Sequence, residues 1–306
     1  MLKYTIKRVL MLIPTIIGIT LFIYLIMSLV PGDPAELLSP PEATAAEVQA
    51  LRVEMGLDKP ILVQYLNYMW NILHGDFGVS WFTQQPVADE ILHRMPYTLT
   101  LGVYSTIIAS LISIPLGTLT AVKHNTWIDY VLTFLCLVFA AMPNFWLGII
   151  LQINLSLNTG WFPAYGMGAP AHYVLPVIAV CASSVANNIR STRTWVLDVI
   201  RSDYVRTARA KGASEFVVIM KHALRNALLP IITGFGSSFA GVLGGSVVIE
   251  TVFAIPGIST YLTSAVKTRD MPIIMGSILV ISVFVGVVNL LVDLMYSVID
   301  PRVKYE

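Results

Sequence analysis

The chain has 306 residues, of which 56% are hydrophobic and 12% are charged, and its formal net charge is +1. An average soluble domain carries roughly 25% charged residues, so this composition excludes a soluble protein of this size and indicates a chain that crosses a membrane several times. The small net charge also provides no general basic field for binding a nucleic acid.

Hydropathy predicts six membrane-spanning helices, because each span needs about 20 apolar residues whose backbone groups bond to one another. The first apolar run follows Lys3, Lys7 and Arg8. It is too long for a signal peptide, and "PGDPAE" after it offers no small-residue cleavage site, so we expect a retained anchor. The charge-free stretch 130–189 exceeds one span, and glycines, prolines and aromatic residues in 158–172 divide it in two.

The predicted organisation is a series of spans joined by inner and outer segments. It consists of a cytoplasmic N-terminus at 1–8, spans at 9–30, 97–122, 130–157, 173–196, 227–249 and 271–297, extracytoplasmic segments at 31–96, 158–172 and 250–270, cytoplasmic segments at 123–129 and 197–226, and a cytoplasmic C-terminus at 298–306. With both termini inside, the inner segments and the inner end of the fourth span, which carries Arg190 and Arg193, hold fourteen Lys and Arg residues, and the outer segments hold five. This asymmetry is the one that the positive-inside rule predicts.

The long outer segment, 31–96, is predicted to contain short helices. Thr44 and Glu47 form a capping-box pattern ahead of one helix, which Gly56 can end. A second, amphipathic helix is predicted to end at Gly75. Its apolar face consists of Ile61, Tyr65, Met69, Ile72 and Leu73. This helix either lies at the membrane interface or forms a docking surface or lid.

Motifs for catalysis are missing from the sequence. There is no glycine-rich phosphate loop with its lysine, no His-Glu-x-x-His pair and no Gly-x-Ser-x-Gly elbow. We therefore expect no enzymatic activity, no bound cofactor and no metal site in this chain. An ion-gradient-driven carrier would need an ionisable residue in mid-span. Asp129, Glu250 and Asp293 lie at predicted span ends instead, where contact with interfacial water would explain them.

Uncharged polar residues also lie inside the predicted spans. Asn187 and Asn188 are explained by hydrogen bonds between helices. The fifth span combines glycines with serines, and such small residues allow either close helix packing or a water-filled path. Both interpretations stay open. The candidate path residues are Ser237, Ser238, Ser246 and Glu250.

The inner segment between spans four and five concentrates charge and helix signals in "DYVRTARAKGASEFVVIMKHALRNALLP". Asp203 is predicted to cap a two-turn helix that Gly212 ends. Ser214 is predicted to cap a second helix that begins at Glu215. A positive-inside anchor would explain the cations but not the caps, the glycine or the alanines, so we expect a surface that docks into another protein. Its candidate residues are Asp203, Tyr204, Arg206, Ala208, Arg209, Ala210, Lys211, Gly212, Ala213, Ser214, Glu215, Lys221, His222 and Arg225.

Several stretches along the whole chain resemble one family of transporters. They include "IKRVLMLIPT", "VPGDPAE", "GDFGVSW", "RTARAKGAS", "KHALRNALLP", "LGGSVVIETVFAIPGI" and "VDLMYSVIDPR". In this order they resemble the first permease subunit of the binding-protein-dependent ABC importers for dipeptides, oligopeptides, glutathione and nickel. The inner loop of the wider superfamily begins Glu-Ala-Ala, with a glycine four residues after the second alanine. Ala208 and Gly212 match this pattern here, whereas Arg206 and Thr207 depart from it as is usual in the peptide branch.

The resemblance implies an all-α permease with six spans and the type I ABC importer fold, placed in the bacterial plasma (inner) membrane. It implies a second homologous permease subunit, two ATPase subunits that hold ATP and Mg²⁺, and an extracytoplasmic solute-binding protein as partners, besides the lipid bilayer. The segment around Gly212 would then couple ATP hydrolysis to the import of a peptide-like solute. Import of chelated nickel by the same machinery, and an ion-gradient-driven carrier of another class, are the alternatives.

Overall fold

The computed structural model describes residues 2–299, so most of the predicted C-terminal segment 298–306 lies outside the described part. Regular structure in this part is helical, apart from one isolated bridge between Val79 and Pro86. Two helices continue in π-helical geometry, over Gln152–Asn158 and Val218–Leu224. The α-helices are α1 Leu2–Leu29, α2 Pro34–Leu38, α3 Ala45–Glu54, α4 Ile61–Leu73, α5 Val87–Val122, α6 Trp127–Ala141, α7 Asn144–Leu151, α8 Ala171–Ile200, α9 Asp203–Ala210, α10 Glu215–Val217, α11 Arg225–Gly245, α12 Val247–Val252, α13 Ile258–Thr268 and α14 Met271–Ile299.

Five helical stretches of the described chain are long and apolar enough to cross a membrane. They are Thr5–Leu29, Val87–Val122, Ala171–Ile200, Glu215–Gly244 and Met271–Met295. A further pair of helices, Trp127–Ala141 and Asn144–Asn158, meets the same criterion but bends by 93° at the break between them. When this bent pair counts as one span, the number is the six that hydropathy predicts.

The second spanning helix begins at Val87, although hydropathy places its start at residue 97. Asp89 and Glu90 occupy the first turn of this helix, where carboxylates interact favourably with the helix dipole. A hydropathy window excludes Asp89 and Glu90 because they are charged, and it therefore places the start of the helix too late. These charges in fact favour a helix N-terminus.

The third predicted span, 130–157, is not one straight helix. α6 ends at Ala141, Met142 and Pro143 have extended backbone conformations, and α7 begins at Asn144. Proline lacks an N–H group and disfavours the helical conformation of the residue before it. A single proline inside an apolar run therefore produces the bend.

The second helix of the inner segment is not separate from the fifth span, contrary to the prediction. α10, the π-helical segment Val218–Leu224 and α11 follow one another without interruption. The span then ends at Gly245, before the predicted boundary at 249, and α12 begins two residues later. Any displacement of the residues just after Gly212 is consequently a displacement of the end of the fifth span itself.

The chain forms two compact parts, the first of which consists mainly of Thr98–Ile255. In this part α8 is the central helix, because α6, α7 and α11 all pack against it. One core cluster is formed by Ala121, Val196, Ala227, Ile231 and Phe235. These side chains hold together the C-terminal ends of α5 and α8 and the N-terminal end of α11.

The second compact part consists of Ile6–Tyr97 and Pro256–Gly286. Its main core cluster is formed by Val87, Ile91, Ile258, Tyr261, Ala265, Ile273 and Ile274. The predicted capping box of α3 is confirmed, since the Thr44 hydroxyl accepts from the Glu47 N–H and the Glu47 carboxylate accepts from the Thr44 N–H at 2.7 Å.

The predicted apolar face of α4 is partly wrong. Tyr65 is buried, and its ring packs edge-on against Tyr24 with a centroid distance of 5.7 Å. Ile61 and Leu73, however, are exposed. The remaining exposed apolar residues of this helix are Leu62, Val63, Leu66 and Trp70. α4 therefore has apolar side chains on its exposed side as well as on its buried side. The helical spacing of apolar residues in the sequence does not show which of the two sides is buried.

Candidate functional site

The predicted docking surface begins with α9. Ser202, with extended backbone, is the N-cap residue of this helix, and Asp203 is the first residue within it. The prediction that Asp203 caps the helix is therefore wrong by one position. The Asp203 carboxylate still lies at the helix N-terminus, where a negative charge is favourable, and it approaches Arg206 at 3.6 Å.

Gly212 forms the turn that ends α9, as predicted. Its φ angle is +82°, a conformation that residues with a side chain rarely adopt. The Gly212 N–H donates to the Arg209 carbonyl at 2.9 Å, and the Ala213 N–H donates to the Ala208 carbonyl at 3.3 Å. A Cβ atom added at Gly212 would meet no other atom of the chain within 4 Å. The glycine is thus required here for backbone conformation and not for space within this chain.

An ion pair connects the two sides of this turn. Arg209 donates from Nε to Oε1 of Glu215 at 2.7 Å and from Nη2 to Oε2 at 3.2 Å. A bidentate pair of this kind fixes the relative position of the two side chains. Ser214 is the extended N-cap residue of α10, as predicted, although its side chain makes no capping bond.

Two buried valines fix the turn to the fifth span. Val205 on α9 and Val218 at the start of the π-helical segment are both completely buried. α9 packs against this segment, Val218–Leu224. The turn around Gly212 is therefore attached to folded structure on both sides and is not a loose loop.

Most of the predicted docking residues are accessible. The exposed ones are Asp203, Tyr204, Arg206, Arg209, Ala210, Lys211, Gly212, Ser214, Glu215, Lys221 and Arg225, and the half-buried ones are Ala208, Ala213 and His222. Phe216 is absent from the predicted set, yet it is 74% exposed. Tyr204, Val217 and Met220 are exposed as well. Phe216, Val217 and Met220 thus expose apolar side chains at the start of the fifth spanning stretch, and the signal for them in the sequence is the apolar run "FVVIM" that follows Ser214 and Glu215.

Asp129 and Glu250 are buried, so the expectation that interfacial water solvates them is wrong. Asp129 is 2% exposed and pairs with Arg193 of α8 at 2.7 Å. Glu250 is 0% exposed, and its Oε1 accepts hydrogen bonds from Thr98 at 2.7 Å and from Ser246 at 2.8 Å. Ser246 lies only four residues before Glu250, but Arg193 and Thr98 are distant in sequence from the carboxylates that they bind, so hydropathy alone does not reveal these contacts.

A cavity of about 310 Å³, with both polar and apolar lining residues, lies beside α8 and α11 in the first compact part. Its polar lining consists of Asn144, Ser184, Asn187, Asn188, Ser238 and Ser246. Asn188 is only 9% exposed, and its side-chain N–H₂ group has no hydrogen-bond partner among the described residues. Its side-chain oxygen accepts from Ser238 at 3.3 Å. The bond from Ser238 joins α11 to α8, as expected for Asn188, but the donors of the Asn188 amide stay unused beside the cavity.

The candidate path residues are not in equivalent positions. Ser238 and Ser246 line the cavity, but Ser246 is buried and bonds to Glu250. Ser237 is exposed and donates to the Thr233 carbonyl at 3.2 Å. Glu250 is enclosed by its own partners and does not line this cavity. Of the four candidates, the geometry thus favours Ser238 as a group that a solute in the cavity could reach.

The glycines of the fifth span fall into two groups, one in close packing and one beside open space. A Cβ atom at Gly234 would lie 2.6 Å from Cη2 of Trp195, and one at Gly236 would collide with Val292. A Cβ atom at Gly241 or at Gly244 would meet no atom within 4 Å, and Gly241 lines the cavity. The first pair therefore permits close packing, and Gly241 leaves space.

Comparison with known proteins adds to this geometry. Residues 113–305 match the family model described as "Binding-protein-dependent transport system inner membrane component", and residues 1–102 match the model of its N-terminal region. The chain belongs to this family. It is a multi-pass permease subunit of a binding-protein-dependent ABC importer, located in the inner membrane.

Relatives within this permease family match over their whole length. The chain is 42% identical to the oligopeptide transport system permease protein AppB of Bacillus subtilis, with all of both chains covered. It is 40% identical to the glutathione transport system permease protein GsiC of Escherichia coli K12, again with complete coverage. Among solved structures, an amino acid ABC transporter aligns with a TM-score of 0.52 at 17% identity, covering 71% of this chain and 95% of that one. This last likeness shows that the fold is that of an ABC importer permease.

Proposed function

We propose that this permease subunit belongs to an ATP-driven importer of peptide-like solutes and that the surface around Gly212 connects it to the ATPase. The chain contributes part of the translocation path and holds no cofactor. ATP and Mg²⁺ are bound by two separate ATPase subunits. A second, homologous permease subunit completes the path, and an extracytoplasmic solute-binding protein delivers the cargo.

The observation that carries this proposal is the folded, exposed turn formed by α9, Gly212 and Glu215. It presents short side chains and the exposed ring of Phe216 to a partner, and aromatic anchors contribute strongly to protein interfaces. Because α10 continues into the fifth span, a force on this turn acts directly on a membrane-spanning helix. Rigid-body movement of packed helices then alternates access to the two sides.

The orientation follows from the distribution of cations. The turn around Gly212 lies in the predicted inner segment that carries the largest number of Lys and Arg residues, which supports a cytoplasmic position for the turn and for both termini. The ATPase subunits are therefore expected to bind on the side where ATP is available.

The proposed cargo rests on two observations. Relatives that match over their full length are permeases named for oligopeptides and for glutathione. In addition, the cavity beside Asn188 has the apolar side chains Val180, Val242 and Ile249 in its lining, and its polar side chains are neutral amides and hydroxyls, with no histidine, cysteine or carboxylate. Such groups exchange hydrogen bonds with peptide bonds irrespective of peptide sequence, which favours a peptide over chelated nickel.

A crosslinking experiment tests the coupling role. A cysteine introduced as Ala210→Cys should form a disulfide with a cysteine placed in the surface cleft of the ATPase, and the yield should change with bound nucleotide. Both native cysteines are buried, so background reaction is low. Ala46→Cys, at an exposed position of α3, is the matched control and should give no crosslink. Absence of a crosslink at Ala208, Ala210 and Ala213 would contradict the proposal.

A second experiment tests the cargo. The importer, reconstituted with its solute-binding protein, should show ATP hydrolysis stimulated by a peptide or by glutathione and not by chelated nickel. Stimulation by nickel alone would reject the peptide assignment, while leaving the coupling role intact.

A further inference from the structure

A second cavity, of about 320 Å³, lies within the second compact part. Its apolar walls include Met27, Leu57, Ile61 and Met271. Its polar side chains are Tyr24, Ser28, Asp33, Arg52, Gln64 and Arg269. This size is at the lower end of the range for small-molecule sites, and the mixture of apolar walls with few polar groups is typical of them.

Five of these six polar side chains are already paired. Asp33 forms an ion pair with Arg52 and caps α2. Tyr24 donates to the Gln64 side-chain oxygen at 2.8 Å, and the Gln64 N–H₂ group donates to the Lys59 carbonyl at 2.7 Å. The Ser28 hydroxyl donates to the Leu25 carbonyl at 2.8 Å.

Arg269 is the exception. Its side chain makes no hydrogen bond or ion pair with any described residue, and its Nη1 atom is buried without a partner. Asp33, the carboxylate in the cavity wall, is already paired with Arg52, so the half-buried guanidinium of Arg269 has no ion-pair partner in this wall. A buried N–H donor without an acceptor is unfavourable, so a ligand that brings a negatively charged oxygen to Nη1 would stabilise this position.

The backbone around Arg269 is arranged to hold its side chain in this place. Gly32, with φ of +114°, lies directly against the guanidinium, and a Cβ atom there would collide with it. Arg269 itself has φ of +59° and ends α13 in the left-handed conformation. Left-handed backbone at a residue with a long side chain is unfavourable and is often found at ligand sites.

We propose that this cavity binds the carboxylate of a small organic ligand, with the Arg269 guanidinium as its partner. A guanidinium presents parallel N–H donors that fit the two oxygens of a carboxylate. The cavity has room for a molecule about the size of a dipeptide, whose apolar parts would contact Met27, Ile61 and Met271. The choice of a peptide as ligand rests on the proposed function, whereas the carboxylate chemistry rests on Arg269.

Binding measurements on the transporter, purified with the subunits that accompany this chain and placed in lipid nanodiscs, test the site. The probes are alanyl-alanine, its C-terminal amide and N-acetyl-alanine, which keeps the carboxylate but lacks the ammonium group. The variants are Arg269→Gln, Arg269→Lys and the control Lys267→Gln. Lys267 is exposed on the same helix and does not line the cavity, so its loss removes an equal charge without touching the site.

We expect Arg269→Gln to weaken binding of both carboxylates by about tenfold or more, the usual effect of losing a charge-assisted pair. The affinity of Arg269→Lys should lie between those of the wild type and Arg269→Gln, because lysine keeps the charge but lacks the parallel N–H donors of a guanidinium. Lys267→Gln should bind as the wild type does, and the amide should bind the wild type more weakly than the free peptide. If Arg269→Gln does not assemble, the lysine variant and the comparison of probes on the wild type decide the question.

Equal binding of N-acetyl-alanine to the wild type and the glutamine variant would overturn the proposal. So would a loss of affinity for the solute-binding protein without any loss for the small probes, since the partner of Arg269 would then be an acidic side chain of that protein. If the binding measurements show no dependence on Arg269 while peptides still stimulate ATP hydrolysis, the carboxylate site is rejected and the proposed function stands. Binding of N-acetyl-alanine that depends on Arg269, without peptide stimulation, supports the site and rejects the peptide cargo.

Discussion

Arg193 binds both carboxylate oxygens of Asp129, from Nε and from Nη2, at 2.7 Å each. The Asn125 N–H donates to the same carboxylate at 3.0 Å, and His124 Nδ1 lies 2.9 Å from Nη2 of Arg193. The short loop between α5 and α6 is thereby fastened to α8. This helix leads directly into α9, so the ion pair stabilises the base of the proposed docking surface.

Asp129→Asn should destabilise the protein strongly. The Arg193 charge would remain, about a quarter exposed, without its ionised partner, and breaking such a pair costs about 2–3 kcal/mol when the cost for a fully buried pair is reduced for this exposure. Thermal unfolding followed by tryptophan fluorescence in detergent would show a lower Tm. Asp198→Asn, at an exposed position of the same helix, should leave Tm nearly unchanged. A similar Tm for both variants would contradict the structural role of the pair.

Gly212→Ala should uncouple ATP hydrolysis from transport, whereas Gly75→Ala should not. The two glycines have φ angles of +82° and +83°, and in both cases an added Cβ meets no atom within 4 Å. Each substitution should therefore cost roughly 1–2 kcal/mol in backbone strain. Solute-stimulated ATP hydrolysis in reconstituted vesicles should be lost in the first variant and kept in the second. Equal activity of the two would show that Gly212 has no role beyond the turn.

Asn188→Leu should lower transport without lowering stability. The substitution removes a buried amide with unpaired donors, and replacing such a group by an apolar one of similar size is neutral or favourable for folding. Thr192→Val is the matched control, because Thr192 is a buried residue of the same helix with an unpaired hydroxyl and lies outside the cavity. Uptake of labelled solute should fall in the first variant alone. Unchanged uptake in both variants would show that the cavity is not part of the translocation path.

Gly236→Ala and Gly241→Ala should change stability in opposite directions. A methyl group at 236 would collide with Val292, and overpacking of this kind costs about 1–3 kcal/mol. A methyl group at 241 meets open space, and alanine is favoured over glycine in a helix by roughly 0.5–1 kcal/mol. Thermal unfolding of both variants measures the difference. A lower Tm for the Gly241 variant would mean that this glycine also packs closely.

The parts of this structure that the sequence predicts are those that depend on local chemistry. The apolar runs define the spans, Thr44 and Glu47 define a helix start, and Gly212 defines a turn. The bend at Pro143 was missed because one proline in a long apolar run does not reveal whether a helix continues past it. The burial of Asp129 was missed because its partner, Arg193, is distant in the sequence.

In the candidate site, too, features set by local sequence can be predicted, whereas features that depend on contacts between distant residues cannot. The helices and the turn of the proposed docking segment can be predicted from its sequence, yet the exposure of Phe216 depends on how α10 continues into the span. The cavity beside Asn188 requires residues from several helices to come together. The unpaired state of Arg269 can be recognised only when the partners of every neighbouring group are known.

The turn at Gly212 has a consequence for the energetics of assembly. α9, the glycine turn and the Arg209–Glu215 pair are formed within the single chain, with Val205 and Val218 buried beneath them. Ordering a flexible segment on binding costs roughly 1–2 kcal/mol of backbone conformational entropy per residue. A partner that meets this surface avoids most of that cost, so a small contact area suffices for a lasting complex.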